Sequence, residues 1–212
     1  MGLGIEPLQT FLKHAFGKHL NLFERVSCVE INIMPLTPIH CSVAYLINRW
    51  KPQLSLPALL VSTMVPDLEN LFIYLITGGL YDRLVLHSFL GAATLGTFLS
   101  VMLTVYLYPP AVSFFFKFNR GKVKEKCRFS GTLVALCFVG SVSHVLVDSL
   151  HHRFNPVLYP LVNESFDGFR ITSNSIFDGA LVTLVLLAVL VFFVVDHKRN
   201  GNKPFWMRML VG

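Results

Sequence analysis

Residues 131–152 read GTLVALCFVGSVSHVLVDSLHH. From Gly131 to Ser143 there is no charged side chain, and then His144, Asp148, His151 and His152 follow in quick succession. The apolar stretch from Ser130 to Leu150 approaches the roughly 20 residues that a bilayer core requires of a helix. At about 100° per residue, His144, Asp148 and His151 fall in one narrow stripe of that helix. His152 lies about 80° from His144 on the same side, so it could substitute. Imidazole nitrogen and carboxylate oxygen are the donors that zinc and similar cations take. The same spacing also suits a histidine hydrogen-bonded to an aspartate as a buried structural pair.

Three further stretches have the length and apolar character of spans: Leu56 to Leu80, Leu84 to Tyr108, and Ile176 to Val195. The composition agrees, with 53% hydrophobic and 14% charged residues where soluble domains carry about 25% charged. Mean hydropathy is +0.59. These features predict an all-α integral membrane bundle of four spanning helices with a short helix before them, from Thr37 to Trp50. Thr37 is placed to cap that helix and Pro38 to occupy its first turn. Residues 1–33 read as an N-terminal extension with an amphipathic surface helix from Pro7 to about Phe23, and no cleavable signal peptide stands out. Residues 34–196 read as the membrane-embedded domain and 197–212 as a basic tail.

The net charge of +6 is distributed as in membrane proteins. Lys117, Arg120, Lys122, Lys124, Lys126 and Arg128 crowd one loop, and Lys198, Arg199, Lys203 and Arg208 the tail. Arg49 and Lys51 precede the first span on that same side, against Arg83, Arg153 and Arg170 on the other. Positive residues mark the cytoplasmic face, so loop 117–128 and the tail are expected in the cytoplasm of a multi-pass cell-membrane protein. Phe114, Phe115 and Phe116 read as an interfacial belt, and no phosphate-cradling glycine loop appears. The expected partner is therefore the bilayer and not nucleic acid. Cys28, Cys41, Cys127 and Cys137 form no CxxC pair, which argues against a zinc ribbon or disulfide framework; Cys41, beside His40, is the one that could serve as a ligand.

Asp67 and Glu69 interrupt the first span in the run STMVPDLENL, residues 62–71. A charged side chain at the centre of a spanning helix costs about 2.5–3.5 kcal/mol even on the lenient insertion scale. Both must therefore face a protein or water-lined interior. In a straight helix Glu69 points about 200° from Asp67, so a break at Pro66 is expected if both join one site. His40 opens the short helix and His87 begins the second span. The topology brings the start of the second span and the end of the third to the same side. Groups of ligand chemistry on four helices, able to meet at one depth, favour a metal site. Six candidate ligands, His40, Asp67, His87, His144, Asp148 and His151, exceed the four of a closed structural zinc site and suit two metals.

At MPLTPIHCSVAYLI (34–47), STMVPDLENL (62–71), LHSFLGA (86–92) and GSVSHVLVDSLHHRFNPVLYPL (140–161) the sequence resembles the membrane-bound metal-dependent hydrolase family. Its bacterial members are described as LexA-associated inner-membrane hydrolases, and that family is distantly similar to zinc-dependent phospholipase C and related nucleases. The resemblance implies metal-binding roles for His40, Asp67, His87, His144 and Asp148, with Glu69 at the place of the second acidic residue after the proline. The resulting expectation is a membrane-embedded hydrolase of phosphoesters, such as phospholipids or lipid-linked phosphates. It would use zinc or manganese, with one or two ions. Asp67 would bridge two ions and Glu69 would act as catalytic base or as an orienter of the ligands. The alternative is a non-enzymatic membrane protein whose His/Asp cluster carries protons or metal ions or ties helices together.

Overall fold

The computed structural model describes residues 37–77, 83–152, 154–162, 165–166, 168–200 and 204–212. The predicted amphipathic helix at Pro7–Phe23 lies outside them. Every described regular element is helical. A 3-10 turn over Thr37–His40 leads into α1 (Cys41–Trp50), followed by α2 (Leu56–Ser62) and α3 (Val65–Thr77). The continuous helix α4 (Phe89–Phe116) is followed by α5 (Arg120–Lys126), α6 (Gly131–Ser149), α7 (Ser175–Asn200) and α8 (Phe205–Leu210).

Among the described residues three helices, α4, α6 and α7, are long and apolar enough to cross a membrane. The stretch expected as the first span is two short helices that meet at Thr63 and Met64. The cause is local. Pro66 has no N–H, so it sits in the first turn of α3, where none is required, and the ladder from α2 cannot run through it. The basic loop also differs from expectation, since Asn119 accepts hydrogen bonds from the N–H groups of Gly121 and Lys122 and so caps the short helix α5. Ser55 caps α2, Ser88 caps α4 and Ser130 caps α6.

Helix α6 packs against both α2 and α4, which also touch each other. Small residues allow the close approach: a Cβ added at Gly140 would lie 1.8 Å from Ser62 Oγ and 2.8 Å from Ser62 Cβ. Ser141 Oγ lies 3.2 Å from Ser100 Oγ where α6 meets α4. Helix α4 contains two wide π turns, Ala92–Gly96 and Leu103–Leu107, and at the end of the first the Ala92 carbonyl accepts from both the N–H and the Oγ1 of Thr97. The main apolar core joins Ala44, Tyr45, Leu56, Leu59, Leu136 and Cys137. Phe98, Tyr106, Leu184 and Phe192 point outward, as helices facing lipid do.

The bundle has two chemically distinct ends. At the basic end Asp196 of α7 receives Arg208 at 2.8 Å and Arg49 of α1 at 3.3 Å. There Ser55 Oγ donates to the Lys126 carbonyl. The segment expected as a tail folds back at this end, where the hydroxyls of Tyr45 and Tyr108 donate to the carbonyls of Met209 and Leu210. The other end holds the histidines. The chain leaves α1 at the basic end and reaches Asp67 and His87 at the opposite one. Replacing Gly140 by valine should force α2 and α6 apart. A loss of about 1–3 kcal/mol is expected for such overpacking, read as a lowered thermal midpoint in detergent, and an unchanged midpoint would show that the seam is not close-packed.

Candidate metal centre

Helix α6 presents His144 and Asp148 one turn apart, and His151 and His152 follow in the turn that ends it. All four are buried. The His144 ring is fixed by its Nδ1, 2.8 Å from the Thr63 carbonyl. In an unbroken helix that carbonyl would bond the N–H of residue 67; the α2–α3 break leaves it for His144. The break thus positions one candidate ligand through the freed carbonyl and another directly, since Asp67 lies in the first turn of α3.

Glu69 reaches the site by a different route. Its carboxylate accepts from the backbone N–H groups of Leu84 (3.2 Å), Val85 (2.6 Å), Leu86 (2.9 Å) and His87 (3.3 Å). His87 Nδ1 adds a fifth contact at 3.1 Å. No kink inside α3 is needed, because the 84–88 loop wraps around Glu69. Gly91 closes the loop onto α4: a Cβ there would lie 1.7 Å from the Val85 carbonyl oxygen. The geometry of Glu69 is that of a group holding the His87 ring by its Nδ1. A carboxylate bonded to the distal nitrogen of a metal-ligand histidine fixes its tautomer and raises its basicity.

His87 is therefore held on Nδ1, and its Nε2 faces Asp67 Oδ1 at 3.8 Å and Asp148 Oδ2 at 3.6 Å. His144 Nε2 lies 3.4 Å from Asp67 Oδ1 and 3.5 Å from Asp148 Oδ2. These contacts are too long for good hydrogen bonds. The distances of 3.4, 3.5 and 3.6 Å match the edges of a tetrahedron of N and O donors about 2.0–2.2 Å from a central ion, which are about 3.3–3.6 Å, and the 3.8 Å separation of His87 and Asp67 is slightly longer. One donor atom from each of Asp67, His87, His144 and Asp148 lies within 4.8 Å of the others. A second group shares Asp148 with His151 and His152, and His40 Nε2 lies 3.4 Å from Asp148 Oδ1. The carboxylate common to both groups is Asp148. Asp67, expected as the bridge, faces His87 and His144.

The nitrogens His87 Nε2, His144 Nε2, His151 Nε2 and His152 Nε2, with Asp148 Oδ1, are buried and have no hydrogen-bond partner among the described residues. Burying polar atoms in this way costs about 1–3 kcal/mol each, and a cation among them removes that cost. Burial holds His152 well below the usual imidazole range, lowers His151, and with help from His144 lowers His40 to about 4. A neutral ring is the form that binds metal. The residues fit a divalent cation.

Two participants escaped the sequence reading. Arg83, counted only as an outer positive charge, is buried with its Nη1 3.0 Å from Asp148 Oδ2; its place four residues before His87 was the available signal. His152, held as a substitute for its neighbours, stands beside Asp148 in its own right, 3.8 Å away. Cys41 packs in the apolar core with Ala44 and Tyr45 and belongs to neither donor group.

Replacing Glu69 by glutamine should weaken metal binding about 10- to 100-fold, the usual cost of losing such an outer partner. Titration with zinc, followed by calorimetry in detergent, measures this; an affinity equal to that of the unaltered protein would remove the orienting role.

A family model described as YdjM inner membrane protein matches residues 39–211, an interval that contains every side chain of the cluster. Neither a search of curated proteins nor one of solved structures returned a match. Three apolar helices of spanning length and a buried His/Asp cluster accord with a match over most of the chain: the protein belongs to the YdjM family of inner-membrane proteins.

Proposed function

We propose that this protein is a membrane-embedded, metal-dependent hydrolase of phosphoesters, acting on a phospholipid or a lipid-linked phosphate. The observation that carries the proposal is the convergence of Asp67, His87, His144 and Asp148 donor atoms within 4.8 Å inside an apolar helical bundle. The second donor group on Asp148 supports two ions, with zinc or manganese suited to these nitrogen and oxygen ligands. A divalent cation bound there would polarise a phosphoryl oxygen and bring the ionisation of bound water toward neutral pH. Asp67, His87, His144 and Asp148 would hold the first ion, and Asp148, His40, His151 and His152 the second. Glu69 would keep His87 in its ligating tautomer. The surrounding helices would exclude bulk water, which strengthens every electrostatic interaction inside. The distant similarity of the motifs to zinc-dependent phospholipase C points the same way.

In this reading α2 and α3 form a broken fourth span, since non-helical backbone at membrane depth is tolerated where protein covers it. The positive charge of α5 and of the C-terminal segment supports a cytoplasmic location for the basic end, which would put the metal centre toward the opposite face.

A non-enzymatic role has one observation in its favour. Asp67, the most exposed of the four ligands, has a side chain only 14% exposed, as suits a cluster that ties helices or passes protons or metal ions. Turnover separates the two readings. With zinc or manganese supplied, the protein should hydrolyse a component of mixed phospholipid micelles. His144→Ala should lose both bound metal, by elemental analysis, and that activity. Turnover undiminished in His144→Ala would eliminate the mechanism, and bound metal without turnover on any phosphoester would favour the non-enzymatic role.

A further inference from the structure

Arg83 stands where a purely structural metal site would not place it. Its side chain is 6% exposed, and Nη1 lies 3.0 Å from Asp148 Oδ2, the oxygen that also faces His87 Nε2 and His144 Nε2. A fixed positive charge on a ligating oxygen opposes the entry of a cation, because like charges repel strongly where water is excluded. It would also oppose a cation moving through the cluster. The position of Arg83 is built and not incidental, since the next residue, Leu84, is the first of those whose N–H groups are gathered by Glu69.

The charge balance gives the guanidinium a role. Asp67, Glu69 and Asp148 contribute three negative charges against the one positive charge of Arg83. One divalent ion cancels the surplus, and a second leaves the centre positive. A centre in that state attracts an anion. Guanidinium, with its planar fork of donors, suits the tetrahedral oxygens of a phosphoryl group. Resting on the metal-centre reading above, we propose that Arg83 is a substrate-binding residue that engages a phosphoryl oxygen of a group held at the Asp67–His87–His144–Asp148 centre. It thereby selects anionic phosphate esters over neutral carboxylic esters and amides. The phosphoryl group is shared by a lipid phosphate head and a soluble phosphate ester.

The test uses the full-length protein in detergent. Zinc is titrated first, and absence of any bound metal overturns the underlying reading and this one with it. Inorganic phosphate is then titrated into the metal-loaded protein by calorimetry. The unaltered protein should bind phosphate, and Arg83→Gln should bind it roughly 10- to 100-fold more weakly, as loss of a charged hydrogen bond implies. Its zinc affinity should be equal or tighter, because a repelling charge has gone. Arg83→Lys, which keeps the charge and loses the fork, should fall between the two and guards against a failure of the glutamine variant to fold. Metal binding without phosphate binding, or phosphate binding equal in all three proteins, overturns the proposal and leaves the metal centre standing. A loss of zinc affinity in both variants also overturns it, as that is the result for a merely structural arginine. Displacement of the bound phosphate by phosphatidic acid micelles, but not by glycerol phosphate, assigns the group to a lipid head; displacement by glycerol phosphate assigns it to a soluble ester, and each supports the phosphoryl clamp.

Discussion

The constraint on which the structure turns is the desolvation of Asp148. A lone carboxylate removed from water at this depth would be protonated or excluded. Here the chain surrounds it from four directions. His144 comes from the same helix, His40 from the turn before α1, His87 and Arg83 from the loop before α4, and His152 from the turn after α6. Elements far apart in sequence are thereby required to meet at one end of the bundle. The close packing of α2 on α6 and the folding of the 84–88 loop around Glu69 are the means by which they do so.

Much of this arrangement could be read directly from the chain. The apolar runs reveal α4, α6 and α7 because a bilayer-length helix needs little more than length and hydropathy. The His144–Asp148 spacing places both side chains on one buried face because helical periodicity is rigid. The interrupted first span was less legible. Pro66 announces a break, but the sequence does not say that the break would fall at Thr63–Met64 or that it would free a carbonyl for His144. Glu69 was harder still, because its partners are backbone N–H groups of a loop that carries no side-chain signal. Arg83 and His152 escaped for opposite reasons: an arginine beside a span reads as a topology marker, and one histidine in a pair hides behind its neighbour.

The two ends of the bundle solve the burial of charge in different ways. At the basic end Asp196 is neutralised by two arginines, with Arg208 also stacked over the Phe193 ring. All the members there are fixed charges, and the group is complete in itself. At the other end the histidine nitrogens and one carboxylate oxygen point inward without hydrogen-bond partners among the described residues. The first group is satisfied by its own charges; the second keeps polar atoms that no hydrogen bond among the described residues uses.

The wide turns of α4 make that helix tolerant of length in one place and intolerant in another. Each π turn accommodates one residue more than a regular helix over the same rise, so the segments on either side keep the bearing they would have without it. The surplus residue of the Ala92–Gly96 turn is absorbed where it stands. Removing one residue there would let the helix relax into an ordinary ladder and leave the histidine loop facing α6. A residue removed from a regular turn of α4 would instead rotate everything before it by about 100°. The bearing of Ser88 and the His87 loop thus depends on how many residues stand in the regular turns of α4 as well as on which ones.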